Sequence, residues 1–172
     1  RALGVNGVLG PVIDVGGGRS TLVDDLLARG FTDLSVLDLS ESALAQARER
    51  LGAAGATVAW HVADVVNAAL PDAHYGLWHD RAVFHFLIDD GARAAYVAQA
   101  TRSVRPGGYA IIATFAPDGP EKCSGLPVRR HSVVELAEAF APAFRLVNQA
   151  REVHRTPWDS TQAFGYAVLQ HR

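Results

Sequence analysis

The stretch that most constrains this chain is residues 11–20, Pro-Val-Ile-Asp-Val-Gly-Gly-Gly-Arg-Ser, where an apolar run ends in an acid and three glycines come next. Residues 12–15 are short and mostly β-branched, which predicts a buried strand, and the apolar spacing over 20–29 predicts a helix. Glycine permits positive φ and close approach of a ligand, and a helix N-terminus presents unpaired N–H groups. The stretch therefore predicts a ligand-binding turn between a strand and a helix.

The same alternation continues along the chain. Strands are predicted at 12–15, 34–39, 57–63, 76–82 and 109–115, and helices at 20–29, 40–51 and 89–105. Nearly all-apolar strands alternating with helices predict βαβ units and a parallel sheet covered on both faces. After a loop at 116–130, Ser132 and Glu135 form a capping-box pattern for a helix to about residue 141. The next two strands, at 144–154 and 163–170, have no helix between them, so they are predicted to pair antiparallel.

Composition narrows the class of protein. A chain of 172 residues with 49% hydrophobic and 20% charged residues predicts one globular domain over 1–172. The formal charge of −2 gives no electrostatic reason to expect nucleic acid or an anionic membrane surface as partner. One cysteine excludes an internal disulfide framework and fits a reducing compartment, so we expect a cytoplasmic protein.

Two further expectations concern the ends and the membrane. No apolar run approaches the roughly 20 residues that span a bilayer, and no signal peptide is visible. The chain begins at Arg1 and contains no Met, which suggests that an N-terminal segment is absent. Such a segment could carry part of a site.

Two kinds of glycine-rich turn compete for residues 14–20. The dinucleotide pattern Gly-x-Gly-x-x-Gly fails because Thr21 stands where its third glycine would be, and the Gly-Lys-Ser/Thr of a Walker loop is missing. The pattern acid, x, Gly, x, Gly, x, small residue fits from Asp14 to Ser20. Taken alone, an acid that follows a strand could instead be a helix cap or a turn residue.

Because of this pattern, the chain resembles the class I S-adenosylmethionine-dependent methyltransferases. The resemblance extends from Pro11 through the C-terminal hairpin. The Arg-Pro-Gly-Gly turn at 105–108 and the closing antiparallel pair are also typical of the family. The resemblance implies a Rossmann-like fold: a doubly wound, mostly parallel seven-stranded α/β sheet with a C-terminal antiparallel hairpin. It implies S-adenosylmethionine as methyl donor and S-adenosylhomocysteine as product.

The resemblance also implies roles for individual residues. Asp38, at the end of the second strand, would bind the ribose hydroxyls, and Asp64 would lie near the adenine amino group. One carboxylate can accept hydrogen bonds from both hydroxyls of a ribose, and an acid such as Asp14 suits the methionyl ammonium. The expected cofactor-binding residues are Asp14, Val15, Gly16, Gly17, Gly18, Ser20, Asp38, Leu39, Ala63, Asp64, Val65 and His79.

The run 78–87, Trp-His-Asp-Arg-Ala-Val-Phe-His-Phe-Leu, is the predicted wall of the acceptor site. It resembles an Asp-Lys-containing stretch in protein-lysine methyltransferases related to those acting on elongation factor, with Arg81 in place of the lysine. The predicted catalytic residues are Asp80, which would orient an acceptor, and His85, which would act as a base. The alternatives are a salt bridge between Asp80 and Arg81, and a partly buried, hydrogen-bonded His85.

The predicted substrate-side residues lie in this run and in the loop after the fifth strand, and they are Arg81, Cys123, Arg130 and His131. For the loop residues the alternative is a solvated surface. Trp158, at the last hairpin turn, is a candidate lid residue or a core residue. The spacing of His74, His79 and His85 fits no familiar zinc pattern, so no metal site is predicted.

The sequence therefore predicts a methyltransferase that transfers the methyl group by in-line displacement to an acceptor that is a small molecule or a protein side chain. The near-neutral charge of the chain disfavours nucleic acid as acceptor. We expect no association with a membrane, and we expect the protein to be a monomer or a weak dimer. Two alternatives remain open at this point. One is a nicotinamide-dependent oxidoreductase, and the other is a nucleoside-binding protein without catalysis.

Overall fold

The structure is a computed structural model, and it describes residues 10–156 and 161–172. The strands are β1 Val12–Val15, β2 Leu34–Asp38, β3 Val58–Val62, β4 Tyr75–Arg81, β5 Val104–Phe115, β6 Lys122–Cys123, β7 Leu126–Pro127, β8 Phe144–Arg155 and β9 Thr161–His171. The helices are α1 Leu22–Ala28, α2 Glu41–Leu51, α3 Asp90–Ser103 and α4 Val133–Phe140. Within the described residues no helix is long and apolar enough to cross a membrane.

Seven of the strands form one sheet in the order β3-β2-β1-β4-β5-β9-β8. Strand β1 pairs parallel with both β2 and β4, whereas β9 pairs antiparallel with β5 and β8. The predicted doubly wound sheet with an antiparallel C-terminal hairpin is confirmed. Because the strand order reverses between β1 and β4, the carboxyl ends of these two strands form the switch point where such sheets bind ligands.

Helices cover the sheet on two sides. On one face Ile13 and Trp78 pack with Tyr96 of α3 and Leu136 of α4 in the main core. On the other face Val12, Val36 and Leu77 pack with residues of α1 and α2. A smaller third cluster, Ala113, Phe115 and Phe164, lies at the carboxyl end of β5 and the beginning of β9. This third cluster adjoins the predicted acceptor side.

Side-chain caps mark the starts of α2, α3 and α4. Ser40 caps α2 by accepting from the Ala43 backbone N–H at 3.2 Å, and Asp89 caps α3 in the same way through Ala92 at 3.0 Å. The Ser132 and Glu135 side chains form the predicted capping box at α4. Satisfying the first backbone N–H groups in this way fixes where each helix begins.

Apart from shifts of one or two residues at the ends of other elements, the structure differs from the prediction in two places. Strand β5 begins at Val104 rather than 109, because Val104 pairs with Tyr75 and the register then shifts before Leu77. The predicted loop 116–130 contains the short hairpin β6–β7, whose two central residues Ser124 and Gly125 both have positive φ (51° and 82°). Positive φ at both central positions is the two-residue hairpin turn that Ser-Gly permits. Trp158, the predicted lid residue, lies outside the described residues.

Candidate functional site

The glycine loop after β1 is packed against the turn at the end of β4. Gly16 has φ +74°, and a Cβ added there would lie 2.1 Å from Cγ2 of Val83. A Cβ on Gly17 would lie 2.3 Å from Oδ2 of Asp14. Both positions therefore require glycine, the first because of its backbone conformation and its neighbour, the second because of the carboxylate beneath it.

Asp14 lies under this loop and pairs with His79 on the adjacent strand β4. The two residues are partners in the parallel register, and Oδ1 of Asp14 is 2.7 Å from Nδ1 of His79. Asp14 is only 4% exposed, and its other oxygen, Oδ2, is buried without a hydrogen-bond partner among the described residues. A buried, unpartnered carboxylate oxygen costs free energy, which a cationic ligand group at this position would recover. The structure thus brings Asp14, Gly17 and His79 together.

Asp38 ties the glycine loop to the end of β2. Its Oδ2 accepts a hydrogen bond from the Gly18 N–H at 3.0 Å, and its Oδ1 accepts from the Ser40 N–H at 2.8 Å. A carboxylate has about four lone-pair sites, so these bonds leave each oxygen able to accept from a further donor. Asp38 is half-buried, which leaves it open to a ligand diol.

Other predicted cofactor residues lie around the same edge of the sheet. Leu39 is 71% exposed, and Asp64 is exposed with its Oδ1 accepting from the Val66 N–H at 3.1 Å. The Ala63 N–H donates to the Asp38 carbonyl at 3.1 Å, which holds the ends of β2 and β3 together. Exposed apolar and acidic groups beside Asp38 suit an adenosine moiety.

Three of the predicted cofactor residues have side chains whose contacts in the structure are with the protein. The side chains of Val15 and Val65 are buried in the main core, so they do not face a ligand. The Ser20 hydroxyl accepts from the Leu22 N–H at 3.0 Å and so supports the start of α1. All three hold the loops that shape the site.

Asp80 is wholly buried at the end of β4. Its Oδ1 accepts from the Val83 N–H at 2.8 Å, and its Oδ2 accepts from the Phe84 N–H at 3.0 Å and the Tyr96 hydroxyl at 2.5 Å. Burial raises the pKa of Asp80 to about 6, against the opposing effect of these hydrogen bonds. The expected alternative, a salt bridge to Arg81, is wrong because Val83, Phe84 and Tyr96 occupy the carboxylate instead.

His85 and His131 are also buried, and both are hydrogen-bonded to the backbone of Phe115. Nδ1 of His85 accepts from the Phe115 N–H at 3.4 Å, and the Phe115 carbonyl accepts from the His131 N–H at 3.0 Å. Burial lowers the pKa of each imidazole to about 4, assisted by the charge of His131 for His85 and of Arg129 for His131.

A base must reach the proton that it removes. The structure places Asp80 and His85, the predicted catalytic pair, where neither side chain has any solvent exposure. Their catalytic assignment stays a prediction that this geometry opposes, and the contacts instead give both residues a positioning role in the turn after β4.

Arg81 points across the sheet toward β9. Its Nε donates to the Tyr166 hydroxyl at 3.0 Å, and its guanidinium carbon lies 4.3 Å from the centre of the Phe164 ring. The Tyr166 hydroxyl donates in turn to Glu152 at 2.8 Å. Burial and the Glu152 carboxylate raise the pKa of Tyr166, so its hydroxyl stays protonated. Phe164, Tyr166 and Glu152 were not among the predicted site residues; the alternation of aromatic residues along β9 was the signal that could have found them.

The other predicted substrate residues do not gather around one point. Cys123 packs against the third cluster, and burial raises the pKa of its thiol. Arg130 turns back to its own loop, donating to the Gly119 carbonyl and to Glu121, each at 3.2 Å. His131 is 3% exposed. Of this set, Arg81 and Cys123 are the two beside the aromatic residues of β9.

A cavity of about 410 Å³ lies apart from the glycine loop, between α4 and the last two strands. It is lined by Ala116, Pro117, His131, Ser132, Val133, Gln149, Ala150, Arg151 and Gly165. Of the predicted site residues it includes His131. Within residues 10–156 and 161–172 no three His, Cys, Asp or Glu side chains are grouped to hold a metal ion.

Comparison with known proteins identifies the family to which this geometry belongs. The family model described as a methyltransferase domain matches residues 12–108, more than half of the chain. That segment contains the glycine loop, Asp38, Asp64 and the turn after β4. No curated protein matches the sequence.

Solved structures share the fold at low identity. A methyltransferase dependent on S-adenosylmethionine from Methanosarcina mazei is 13% identical, with a TM-score of 0.76, and the match covers 94% of this chain and 92% of that one. One from Mesorhizobium loti is 17% identical, with a TM-score of 0.74 and coverage of 96% and 94%. The 1,6-didemethyltoxoflavin-N1-methyltransferase of Burkholderia thailandensis, solved with 1,6-didemethyltoxoflavin and S-adenosylhomocysteine, is 23% identical, with a TM-score of 0.72 and coverage of 95% and 72%. These matches do not single out the protein-lysine subgroup, so that part of the resemblance stays a prediction.

Proposed function

Because this chain belongs to the methyltransferase-domain family and uses S-adenosylmethionine, we propose that it transfers the methyl group to a small-molecule acceptor at the carboxyl ends of β4 and β5. The observation that carries the proposal is the Asp38 carboxylate. It fixes both Gly18 and Ser40 through backbone N–H groups and keeps lone pairs for a ribose diol. The dinucleotide motif of a nicotinamide enzyme has its third glycine, which permits close packing of the helix on the strand, where this chain has Thr21.

We assign the donor-binding roles to the residues that were expected to hold them. Asp38 accepts from the ribose hydroxyls, and Leu39 and Asp64 flank the adenine. The Asp14 carboxylate stabilises the ammonium of the methionyl part through its negative charge beneath the loop rather than by direct contact, since its Oδ2 is buried and His79 holds the other oxygen. The glycines keep the loop close enough for these contacts, since a Cβ at 16 or 17 would displace Val83 or Asp14.

When bound, S-adenosylmethionine would supply a methyl group on a sulfonium: a nucleophilic atom of the acceptor bonds to the methyl carbon as the carbon–sulfur bond breaks, and S-adenosylhomocysteine is the leaving group. The protein then has to bind the acceptor, align its nucleophilic atom and exclude water. Asp80 and His85 are enclosed in the fold, which supports an acceptor that arrives with a free lone pair. Asp80 contributes by holding the turn of Val83 and Phe84 against the glycine loop.

The burial of Asp80 also supports a small-molecule acceptor over a protein lysine. A lysine ammonium would be favoured by an acid at the mouth of the site, but the Asp80 carboxylate is occupied by Val83, Phe84 and Tyr96. The groups beside it are instead the guanidinium of Arg81 and the aromatic residues of β9, and this positive charge repels a cation.

Two measurements test the proposal. S-adenosylhomocysteine should raise the melting temperature of the protein, whereas NAD and NADP should leave it unchanged; the reverse pattern would contradict the donor assignment. S-adenosylmethionine labelled in its methyl group should then be incubated with cell extract separated into protein and small-molecule fractions. We expect label in the small-molecule fraction. Label confined to protein would contradict the acceptor class, and label in neither fraction would favour a binding protein without catalysis.

A further inference from the structure

We propose that Arg81 binds a carboxylate group on the acceptor, and that Phe164, Tyr166 and Glu152 position its guanidinium for this purpose. The proposal rests on the proposed function, because it names the chemical class of the acceptor for the same site. Arg81 lies within the segment that the family model matches, whereas the three residues that position it lie on β8 and β9, outside that segment.

The sheet register explains why the Arg81 side chain points as it does. Arg81 on β4 is the partner of Ala113 on β5, and Ala113 is the partner of Tyr166 on β9, so the three residues form one row across the sheet. Side chains in such a row project from the same face. The small side chain of Ala113 in the middle leaves room for the arginine to extend over β5 and reach β9.

Two contacts hold the guanidinium at the end of this row. It lies over the ring of Phe164 at 4.3 Å, within the range of a cation–π interaction, and its Nε donates to the Tyr166 hydroxyl. That hydroxyl donates its own proton to Glu152, which leaves its lone pairs to accept from Arg81. An arginine fixed in this way loses little further freedom when it binds a ligand.

Among the described residues, none occupies the outer edge of this guanidinium, formed by its two terminal nitrogens. Within the part of the chain that the structure describes, Nε makes the only hydrogen bond of the Arg81 side chain, and no carboxylate pairs with it. Elsewhere in the chain a guanidinium is paired with an aspartate: the two terminal nitrogens of Arg151 donate to the two oxygens of Asp118, at 2.9 and 2.6 Å. At Arg81 the nearest acid on β8, Glu152, receives the tyrosine proton instead. The two terminal nitrogens of Arg81 therefore remain for an external carboxylate.

The fork lies beside the methyl donor. Asp80, the residue before Arg81, is the register partner of Val15, which directly precedes the glycine loop. Val83, two residues after Arg81, touches Gly16 of that loop. A carboxylate held by Arg81 would thus place the rest of a small acceptor between the glycine loop and the aromatic residues of β9.

The charge around the fork favours a monoanion. The Arg81 guanidinium supplies one positive charge. The Glu152 carboxylate supplies one negative charge nearby, because it accepts a hydrogen bond from the same Tyr166 hydroxyl that accepts from Arg81. A phosphate monoester, with a charge near −2 at neutral pH, would meet one positive and one negative group here. A carboxylate matches the planar fork and the single charge.

A binding experiment with benzoate tests the proposal without knowledge of the acceptor. Protein saturated with S-adenosylhomocysteine should bind benzoate about tenfold or more tightly than the uncharged benzamide, measured by calorimetry. Arg81→Gln should abolish this difference, and Arg81→Lys should remove most of it because an ammonium lacks the fork. Tyr166→Phe, which keeps the ring and removes only the hydroxyl, should lose part of it. Arg29→Gln, an exposed arginine at the end of α1, is the matched control and should behave as the wild type.

Equal binding of benzoate and benzamide by the wild type, or a difference that persists in Arg81→Gln, would overturn the proposal. Tighter binding of inorganic phosphate than of benzoate would overturn the choice of a carboxylate. The same titrations without S-adenosylhomocysteine separate this proposal from the donor assignment. If the nucleoside does not bind, the proposed function fails, and the response to benzoate still decides the role of Arg81.

A turnover experiment supplies the second readout. Small molecules from cell extract are separated by charge before reaction with labelled S-adenosylmethionine, so that a change of charge on methylation does not matter. Label should appear in the products of the acidic fraction and fall about tenfold or more in Arg81→Gln, with the affinity for S-adenosylhomocysteine unchanged. Label arising from the neutral or basic fractions, or equal label from Arg81→Gln, would contradict the proposal.

Discussion

Asp38 and Asp80 stand at equivalent places, each at or near the carboxyl end of a parallel strand, yet their surroundings are opposite. The Asp38 carboxylate is half-buried and accepts one backbone hydrogen bond on each oxygen, which leaves it open to a ligand. The Asp80 carboxylate is fully buried and accepts three hydrogen bonds from the turn after β4 and from α3.

The difference arises from the segment that comes after each strand. After β2 the chain enters α2 within two residues, through the Ser40 cap, and Asp38 stays partly exposed. After β4 the chain turns back over its own strand at Phe84–Phe86, and Tyr96 of α3 closes over the carboxylate. The donor side thus exposes its acid for binding, whereas the turn after β4 uses its acid to build the wall.

The largest expected effect is on stability, from Asp80→Ala. This change leaves two buried N–H groups and one buried hydroxyl without their acceptor, so we expect the free energy of unfolding to fall by about 3–5 kcal/mol. Chemical denaturation measures the loss. Tyr96→Phe, which removes the hydroxyl that donates to Asp80 and accepts from the Trp78 indole, should cost about 2 kcal/mol. If Asp80→Ala and Asp38→Ala were equally destabilising, the contrast between the two acids would be wrong.

Asp38→Ala should affect binding instead. We expect the affinity for S-adenosylhomocysteine to fall about a hundredfold, because two charge-assisted hydrogen bonds to the ribose are lost and the Gly18 N–H is released. Calorimetry measures the change. Asp72→Ala, an exposed aspartate paired with Arg102 away from the loop, is the matched control. Near-normal binding by Asp38→Ala would show that the ribose assignment is mistaken.

Stability should fall on acidification because of the histidines beside Phe115. The pKa values of His85 and His131 are about 4 in the folded protein, below the ordinary 6.5, so the unfolded chain takes up their protons first as the pH falls from about 6.5 toward 4. Asp80 opposes this loss of stability. Its pKa is raised from 3.8 to about 6 in the folded protein, so between about pH 6 and pH 3.8 the folded state binds a proton before the unfolded chain does. We expect a net loss of about 2 kcal/mol between pH 7 and pH 5.

Denaturation midpoints at the two pH values measure this loss. His131→Gln should make the dependence shallower, and Asp80→Asn should make it steeper because the opposing group is removed. A stability that rises between pH 7 and pH 5 would contradict the burial of the two imidazoles.

The smallest effect is expected from Gly18→Ala. The new Cβ would lie 2.8 Å from both the Asp38 carboxylate and the Ala43 Cβ, and the φ of Gly18 is one that alanine accepts, so the loop shifts without backbone strain. We expect the affinity for S-adenosylhomocysteine to fall about tenfold and the free energy of unfolding to fall by about 1 kcal/mol, because the Ala43 Cβ is fixed to α2 and cannot rotate away. Gly30→Ala, at a positive-φ position with open space around it, should instead cost some stability and leave binding unchanged. An affinity equal to that of the wild type would show that Asp38 does not set the position of the loop.

The donor side could be predicted from the sequence because its chemistry is local. The acid, the glycines and the small residue lie next to one another from Asp14 to Ser20, and the strand and helix ends are marked by apolar runs and by caps such as Ser40 and Asp89. These signals act within a few residues, so no knowledge of the tertiary structure is needed to interpret them.

The acceptor side could not be predicted in the same way. Arg81 meets Tyr166 across 85 residues of sequence, and the contact depends on the register of three strands. The burial of Asp80 and His85 depends on α3 and the loop before α4 folding over them. A polar residue at the end of a strand gives the same sequence pattern whether its side chain lies at the surface or is covered by another element.

The hydrogen-bonded chain from Trp78 through Tyr96 to Asp80 gives the molecule an optical reporter of its own. The Trp78 indole is fully buried and donates to the Tyr96 hydroxyl at 2.9 Å, one bond away from the Asp80 carboxylate. Its emission should therefore be shielded from aqueous quenchers while the turn after β4 is in place. In a Trp60→Phe, Trp158→Phe variant, which keeps Trp78 alone, opening of that turn would bring the indole into water and shift its fluorescence to the red, so the state of the wall can be monitored without a label.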